Sequence, residues 1–297
     1  MKGIILAGGT GTRLYPITIA ISKHLIPIYN KPMIYYPLST LMLAGVRNIL
    51  LITRPNEAEA FRRLLGDGSQ FGVHLSYAVQ ASPRGLADAF IVGRKFVGHE
   101  RVVLILGDNI FYGQGLSAVL QRAAARKSGA TIFAYAVANP SQYGVLAFAR
   151  DGRPLAIEEK PKRPKSNYVV PGLYFYDNRV LDFAAKLKPS ARGELEIAEL
   201  NNTYLRSDDL TVEMLGRGCA WLDMGTPERL LEAASLIRTL EQRQGLSVSC
   251  PEEIALRRGF ISRAVFFQAV KRFKNSAYGQ YLRLIYESHD ANTGPYQ

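Results

Sequence analysis

The stretch GIILAGGTGTRLYPITIAISKHLIPI, residues 3–28, decides the fold of this chain. It begins within an apolar run, residues 2–7, of the kind that forms a strand buried on both faces. The run ends in a glycine turn, GGTG, and the cations Arg13 and Lys23 follow it. Backbone N–H groups in a glycine turn can surround an anion. The stretch therefore predicts a buried strand that ends at an anion-binding loop.

Two common phosphate-binding motifs do not fit this loop. A Walker loop requires a Gly-Lys pair that is absent here, and a dinucleotide-binding turn requires a third glycine where the chain has Leu14. Two cations after a glycine turn suit several phosphates in a row, because Arg13 offers a bidentate fork and Lys23 a compact charge. A tight turn with two solvated surface cations explains the spacing equally well.

The first half of the chain alternates predicted strands and helices. Strands are predicted at 2–7, 48–54, 73–79, 101–108 and 130–137, and helices at 32–45, 56–65, 85–96 and 116–127. This alternation predicts an α/β protein with a Rossmann-like, mainly parallel twisted sheet and helices on both faces. Ligands bind outside the carboxyl ends of such strands, where the glycine loop and Asp108 both fall. The second half is less regular, with strands predicted at 144–149, 155–160, 169–176 and 210–215 and helices at 179–187, 194–206 and 226–243.

Positive charge is concentrated near the C-terminus. The 297 residues carry a formal charge of +12, and seven basic residues but no acid lie between Ile254 and Tyr286. Interleaved cations and aromatic residues also occur in nucleic-acid-binding proteins. The apolar positions of FFQAVKRF, however, fit a helix that packs on the body with its cations outward, so we expect no nucleic-acid partner. Residues 245–297 are predicted to form a basic helical appendix, and the last eight a frayed tail.

The sequence predicts a cytoplasmic protein. Its two cysteines, Cys219 and Cys250, have neither CxxC spacing nor a histidine at zinc-ligand distance, which favours a reducing compartment. No segment resembles a signal peptide. No apolar run approaches the roughly 20 residues that cross a bilayer, so no membrane association is expected.

Several motifs together resemble one family. LAGGTGTRLYPIT with the following SKHLIP is similar to the signature of the sugar-1-phosphate nucleotidyltransferases. KPMIYYPLSTLMLAG, LLGDGSQFG, LGDNIFYG, EEKPKRPKSNY, GLYFYD, RGELEI and GRGCAWLDMGT extend the resemblance to the glucose-1-phosphate thymidylyltransferases, from Gly3 to about Glu253. The resemblance implies a glycosyltransferase-A-like nucleotidyltransferase fold. It also implies a catalytic domain at 1–244, with a nucleotide half at about 1–110 and a sugar-phosphate half at about 111–244.

The resemblance also implies a reaction and its residues. A sugar 1-phosphate, best glucose 1-phosphate, attacks the α-phosphate of a nucleoside triphosphate, best dTTP, and pyrophosphate leaves with the help of Mg²⁺. The implied catalytic residues are Arg13, Lys23 and Lys160, and the implied Mg²⁺ ligands are Asp108 and Asp223. The implied nucleotide-binding residues are Gly8, Gly11, Gln80, Gly85 and Asp108. The implied sugar-phosphate-binding residues are Tyr143, Gly144, Glu159, Lys160 and Tyr174. The family further implies a homodimer or homotetramer with a feedback site near Arg217, Gly218, Glu253 and Arg257.

The chain departs from the family pattern at four positions close to these motifs. SKQLLP, GLAQA, VTGLYFYD and WLDTGT become SKHLIP, GLADA, VVPGLYFYD and WLDMGT, which introduces His24, Asp88, Pro171 and Met224. Changed donors and acceptors in a pocket alter specificity, and Asp88 is a candidate acceptor for a guanine edge. GTP or UTP with a modified sugar or cyclitol phosphate is therefore an open alternative, as are neutral drift and, from another class, a non-catalytic regulator.

Overall fold

A ten-stranded sheet runs through the computed structural model, which describes residues 1–288. The strands are β1 (Lys2–Ala7), β2 (Pro27–Ile28), β3 (Lys31–Pro32), β4 (Asn48–Thr53), β5 (His74–Val79), β6 (Val102–Leu106), β7 (Asn109–Gly113), β8 (Ala130–Ala136), β9 (Gly144–Phe148), β10 (Pro154–Glu159), β11 (Tyr168–Val169), β12 (Leu173–Tyr176), β13 (Leu210–Met214) and β14 (Cys219–Asp223). The predicted frayed tail lies outside the described residues.

Twelve α-helices accompany these strands within residues 1–288. They are α1 (Ile17–Ala20), α2 (Tyr35–Leu43), α3 (Ala58–Leu65), α4 (Asp88–Val92), α5 (Arg94–Val97), α6 (Leu116–Ala125), α7 (Val180–Lys186), α8 (Ile197–Arg206), α9 (Pro227–Gln244), α10 (Pro251–Arg257), α11 (Arg263–Arg272) and α12 (Ala277–Glu287).

The sheet combines a parallel and a mainly antiparallel half. Its order is β10-β9-β11-β8-β12-β6-β1-β4-β5, with β13 also paired to β8. Strands β6, β1, β4 and β5 are parallel, as is the β8–β13 pair. Strand β12 joins antiparallel to both β6 and β8. The predicted Rossmann-like, mostly parallel sheet is confirmed, and the antiparallel strands are an addition that the alternation of the first half did not indicate.

Helices cover both faces of this sheet, because successive side chains of a strand point in opposite directions. On β1, Ile5 belongs to a core cluster that includes residues of α2, α3 and α6. Its neighbours Ile4 and Leu6 belong to a second cluster with residues of α4, α7 and α8. The predicted arrangement of helices on both faces is therefore confirmed.

Three predicted elements are divided or shortened in the structure. The helix predicted at 85–96 becomes α4 and α5, after a loop in which Ala87 N–H donates to Leu195 O and Leu195 N–H donates to Arg84 O. The same pairing delays the helix predicted at 194–206, which begins at Ile197 as α8. The strand predicted at 169–176 is divided into β11 and β12 by residues 170–172, where the chain contains Pro171.

Four strands were missed by the sequence analysis: the short pair β2 and β3, and the pair β7 and β14. Strands β7 and β14 form an antiparallel pair outside the main sheet, in which Asp223 lies opposite Asn109. Because β7 begins directly after Asp108, this pair places the ends of two distant sequence segments side by side.

The C-terminal segment is helical and packs on the body. Ile254 of α10, Phe266 of α11 and Leu282 of α12 belong to the core cluster that also contains Ile5 of β1. No helix within residues 1–288 has the length and apolar character needed to span a membrane.

Candidate active site

Two carboxylates face one cavity at the carboxyl ends of β6 and β14. Asp108 follows β6, and Asp223 is the last residue of β14. Both line a cavity of about 700 Å³. Met224 N, directly after Asp223, donates to Asp108 O over 3.1 Å, so the two aspartates lie side by side. Burial and the negative charge of Asp108 both raise the pKa of Asp223. The β7–β14 pair is what brings them together.

Asp108 is held by hydrogen bonds from two side chains. Lys23 Nζ donates to its Oδ2, and Asn109 Nδ2 donates to its Oδ1 over 2.9 Å. Burial alone would raise the pKa of Asp108, but Lys23 and the adjacent His24 outweigh burial and lower it to about 2. Burial also lowers the pKa of His24, to about 4, so its imidazole is neutral at neutral pH. Asp108 is therefore a carboxylate with a fixed orientation.

Asp223 is held by two residues that the sequence analysis did not predict to be near it. Arg229 Nη1 lies 2.5 Å from its Oδ2, and the Tyr143 hydroxyl donates to its Oδ1 over 2.9 Å. Burial raises the pKa of Asp223, and Arg229 opposes that rise. Arg229 lies in the first turn of α9, just after the WLDMGT motif. In the sequence, the only sign of a role for Arg229 is that it follows the WLDMGT motif closely. Its contact with Asp223 depends on the turn between β14 and α9, which the sequence does not predict.

Asn109 is a second residue that the sequence analysis missed. Besides donating to Asp108, its side chain accepts at Oδ1 from Trp221 Nε1 over 2.7 Å and from Gly172 N over 3.0 Å. It is almost fully buried. Asn109 thus connects Asp108 to β14 and to the turn before β12, and it fixes the carboxylate relative to both.

The donor set at these aspartates fits a hard divalent cation. Asp108 and Asp223 supply oxygen ligands, and within the described residues no cluster of three or more histidine, cysteine or acidic side chains is formed. Mg²⁺ is commonly bound by one or two carboxylates together with substrate phosphates. Two carboxylates on a cavity that is large enough for a phosphorylated ligand match that pattern.

Arg13 lies where two cavities meet. It lines the 700 Å³ cavity and also a smaller one of about 290 Å³, which Gly11, Lys23 and His24 line as well. Asp108 lines both cavities too. Arg13 makes no hydrogen bond or ion pair with any residue between 1 and 288. Its guanidinium therefore remains available to an anionic ligand.

The glycine loop has the conformation that such a site requires. Gly11 adopts a φ of 65°, in the left-handed region, and a Cβ there would lie 3.1 Å from Thr18. Thr18 Oγ1 donates to Gly11 O over 2.7 Å and so ties the loop to α1.

The predicted sugar-phosphate residues come together in the larger cavity. Tyr143, Gly144, Glu159, Lys160 and Tyr174 all line it. Burial raises the pKa of Glu159, whose Oε1 lies 3.7 Å from Lys160 Nζ. The Lys160 side chain is 50 % exposed. The lining of the cavity thus includes a cation, a carboxylate and phenols.

The remaining predicted nucleotide residues lie beside the glycine loop. Gly8 and Gln80 line a third cavity, of about 580 Å³, together with Thr10 and Pro83. Gly85 does not line any of these three cavities. It has a φ of 103°, and a Cβ there would lie 2.5 Å from Leu195 N and O. Gly85 allows the loop after β5 to pack closely against the backbone of Leu195.

Three of the four departures from the family pattern do not line these cavities. Met224 is fully buried in a core cluster with Met33, Tyr36 and Ile237. Pro171 is buried, and its neighbours Val170 and Gly172 line the larger cavity where it does not. His24 does line the smaller cavity. Asp88 is buried, accepts from Gln80 and Arg84, and lines none of these cavities, so the hypothesis that it accepts directly from a guanine edge is wrong.

Comparisons with known proteins agree with this geometry. The sequence model of the nucleotidyl transferase family matches residues 2–239. The chain belongs to the nucleotidyltransferase family. Its relatives include glucose-1-phosphate thymidylyltransferases from Neisseria meningitidis, 58% identical over 95% of this chain and 98% of the relative, and from Mycobacterium tuberculosis, 58% identical over 97% and 99%. The predicted resemblance is confirmed, and this nucleotidyltransferase is an enzyme.

Two solved structures share the fold of this nucleotidyltransferase. A Bacillus anthracis crystal structure assigned to the same enzyme name, in complex with sucrose, superposes with a TM-score of 0.75 at 42% identity and covers 80% of this chain and 95% of its own. A UDP-glucose pyrophosphorylase complexed with UDP-glucose superposes with a TM-score of 0.71 over 80% of this chain and 98% of its own. At 22% identity, the second shows the fold alone.

Proposed function

We propose that this nucleotidyltransferase joins glucose 1-phosphate to dTTP and releases pyrophosphate and dTDP-glucose. One observation carries the proposal: Arg13 and Asp108 line both the cavity beside the glycine loop and the cavity that holds Lys160 and Glu159. A triphosphate in the first cavity and a sugar phosphate in the second would meet between these two residues. The names of the relatives support dTTP and glucose as the substrates.

The reaction needs little covalent chemistry from the protein. A phosphate oxygen of the sugar 1-phosphate attacks the α-phosphorus, the new O–P bond forms, and the bond to the β-phosphate breaks in line with it. Arg13 and Lys23 hold the triphosphate and orient its α-phosphate. Lys160 holds the attacking phosphate, and Glu159 and Tyr174 face the sugar hydroxyls. The main contribution is to place two anions together against their mutual repulsion.

Asp108 and Asp223 are the residues that would hold Mg²⁺. An ion held there would supply positive charge that stabilises the leaving pyrophosphate. Lys23 and Arg229 balance the two carboxylates, and Asn109 and Tyr143 fix their orientation.

The same proposal includes the organisation of the chain. Residues 1–244 carry the chemistry, with the nucleotide at about 1–110 and the sugar phosphate at about 111–244, and residues from 245 onward form the appendix. The proposal also includes assembly into a homodimer or homotetramer and a location in the cytoplasm. Both cysteines are free, as a reducing compartment would keep them. Native mass spectrometry and cell fractionation test these parts.

A substrate panel tests the reaction. The purified enzyme is assayed for pyrophosphate release with dTTP, UTP and GTP against glucose 1-phosphate and other sugar and cyclitol phosphates. We expect the highest kcat/KM for dTTP with glucose 1-phosphate, and a strong preference for another pair would contradict the proposed substrates.

Two variants and a control test the proposed roles. Asp108→Asn and Asp223→Asn should abolish Mg²⁺-dependent pyrophosphate release while their melting curves show folded protein. Asp151→Asn, which changes an exposed carboxylate paired with Arg153, should retain wild-type activity. Full activity in both site variants would contradict the assignment of these aspartates.

A further inference from the structure

A hydrogen-bonded network of three side chains lies behind the glycine loop and consists of Gln80, Asp88 and Arg84. Gln80 Nε2 donates to Asp88 Oδ2 over 2.7 Å, and Arg84 Nη2 donates to Asp88 Oδ1 over 2.7 Å. Asp88 is 1% exposed and Gln80 is 6% exposed. Each oxygen of the carboxylate thus accepts from a protein donor, and the group is closed to a ligand because it is buried and lines none of the three cavities.

This network determines which end of the Gln80 amide faces the cavity. A carboxylate only accepts hydrogen bonds, so the amide end that faces Asp88 must be the NH₂ group. The carbonyl Oε1 then points towards the glycine loop, where a Cβ on Gly8 would lie 2.6 Å from it. Oε1 has no hydrogen-bond partner within residues 1–288, and Gly8 and Gln80 line the same cavity. The cavity thus receives an acceptor with no partner in the protein.

We propose that Asp88 is a positioning residue that orients the Gln80 amide, so that the enzyme selects a pyrimidine whose N3 carries a proton. The inference rests on the proposed function and deepens it. Uracil and thymine present a donor at N3, whereas cytosine presents an acceptor there. If cytosine bound there, its N3 and Gln80 Oε1 would both be acceptors and neither would have a hydrogen-bond donor, which disfavours cytosine. A glutamine that was free to turn would present its NH₂ group to cytosine instead.

The test compares dUTP with dCTP, because these nucleotides differ only at positions 3 and 4 of the base. With the same sugar phosphate, wild type should prefer dUTP in kcat/KM by roughly ten- to a hundredfold, as expected for one unsatisfied buried group. Asp88→Asn should abolish or reverse that preference, because the asparagine carbonyl accepts from Arg84 and its NH₂ group then faces Gln80, which turns the NH₂ end of Gln80 towards the cavity.

A swapped pair separates orientation from general damage. In the double variant Gln80→Glu with Asp88→Asn, the amide introduced at position 88 can donate to one oxygen of the carboxylate introduced at position 80 and accept from Arg84. The other oxygen of that new carboxylate again faces the cavity as an acceptor, and the pair keeps its single negative charge. We expect the double variant to recover the dUTP preference that Asp88→Asn loses. If Asp88 only stabilised the fold, Asp88→Asn would leave the ratio of kcat/KM for dUTP to that for dCTP unchanged, and the double variant would have no preference to recover.

The outcomes are distinct. Asp182→Asn, in an exposed ion pair with Arg94, is the matched control and should keep the wild-type ratio. The proposal is overturned by a wild-type enzyme that shows no preference, by an Asp88→Asn variant with the wild-type ratio, or by a swapped pair without recovery. The same ratio is measured as a Kd ratio by calorimetry. A failure of sugar transfer would then contradict the proposed function and leave this binding test intact.

Discussion

Arg229 Nη1 lies 2.5 Å from Asp223 Oδ2, and the same guanidinium lies over the ring of Tyr143, which donates to the other oxygen of that carboxylate. Asp223 therefore has a cation on one oxygen and a phenol on the other. Asp108, which lines the same cavity, has Lys23 and Asn109 in the corresponding places. Each carboxylate thus has a neutralising partner and an orienting partner.

Arg229→Gln should weaken metal-dependent turnover, because Asp223 loses the cation that holds its orientation. Loss of such a partner typically reduces metal affinity or activity about 10- to 100-fold. The measurement is the Mg²⁺ concentration that gives half-maximal pyrophosphate release. Arg238→Gln, an exposed arginine on the same helix, is the control. An unchanged Mg²⁺ requirement in Arg229→Gln would show that Asp223 does not depend on this pair.

Lys23→Met should make folding more dependent on Mg²⁺. Without Lys23, Asp108 keeps no neutralising side chain, and we expect the free energy of unfolding to fall by about 2 kcal/mol. That is below the range for fully buried pairs because the Asp108 side chain is 25% exposed. Bound Mg²⁺ would restore the balance, so it should raise the melting temperature of Lys23→Met more than that of wild type.

Differential scanning fluorimetry with and without Mg²⁺ measures this difference. Lys186→Met, at an exposed lysine on α7, should behave as wild type. Equal Mg²⁺-induced shifts in Lys23→Met and wild type would argue against a shared role of Lys23 and the metal at Asp108.

Gly85→Ala should raise the KM for the nucleotide and destabilise the fold. Its φ of 103° disfavours any side chain, and a Cβ would lie 2.5 Å from Leu195 N and O. We expect a loss of about 1–3 kcal/mol in the free energy of unfolding, measured by urea titration. Gly216→Ala is the control, because a Cβ there meets nothing within 4 Å. A Gly85→Ala variant with wild-type KM and stability would mean that the loop can shift without consequence.

Asp177→Asn should remove part of the acid sensitivity of the fold. Burial alone would raise the pKa of Asp177, but Arg179, the Gly129 N–H and the Tyr204 hydroxyl lower it below its ordinary value of 3.8. The folded state therefore holds this proton less tightly than the unfolded chain. The stabilisation is complete above pH 3.8 and is lost as the pH falls through the lower pKa of the folded state.

Urea titrations near neutral pH and in acid measure this contribution. At neutral pH, Asp177→Asn should be less stable than wild type by about 2 kcal/mol, as for hydrogen bonds to a charged group. The difference should shrink in acid, where wild type has also lost the charge. A difference that grows on acidification would have the wrong sign for a lowered pKa.

The regular elements of the first half were predictable because their signals are local. An unbroken apolar run such as residues 2–7 has one stable solution, a strand covered on both faces. The strands at 48–53 and 102–106 carry the same signal. Strands β7 and β14 were harder to predict, because each is short and pairs with a strand far away in the sequence.

The candidate site divides in the same way. Arg13, Lys23 and Asp108 stand next to a recognisable strand end, so their common edge could be predicted from parallel-sheet topology. Arg229, Asn109 and Trp221 could not, because each acts through a contact with a residue that is remote along the chain or across a turn. The sequence misleads at Met224 and Asp88. Both lie next to motifs of the site in the sequence, but in the structure Met224 belongs to a core cluster and Asp88 binds Gln80.

The sequence by itself determined the reaction class and the parallel half of the sheet, because glycine turns, cations and apolar runs act over a few residues. Only the tertiary structure decided how those groups are used. It turned Asp88 from an apparent ligand of the base into the partner of Gln80, and it brought Asp223 to Asp108 through the β7–β14 pair. The physical reason is that the direction of a hydrogen bond and the neighbours of a buried charge are properties of packing, which spacing along the chain does not specify.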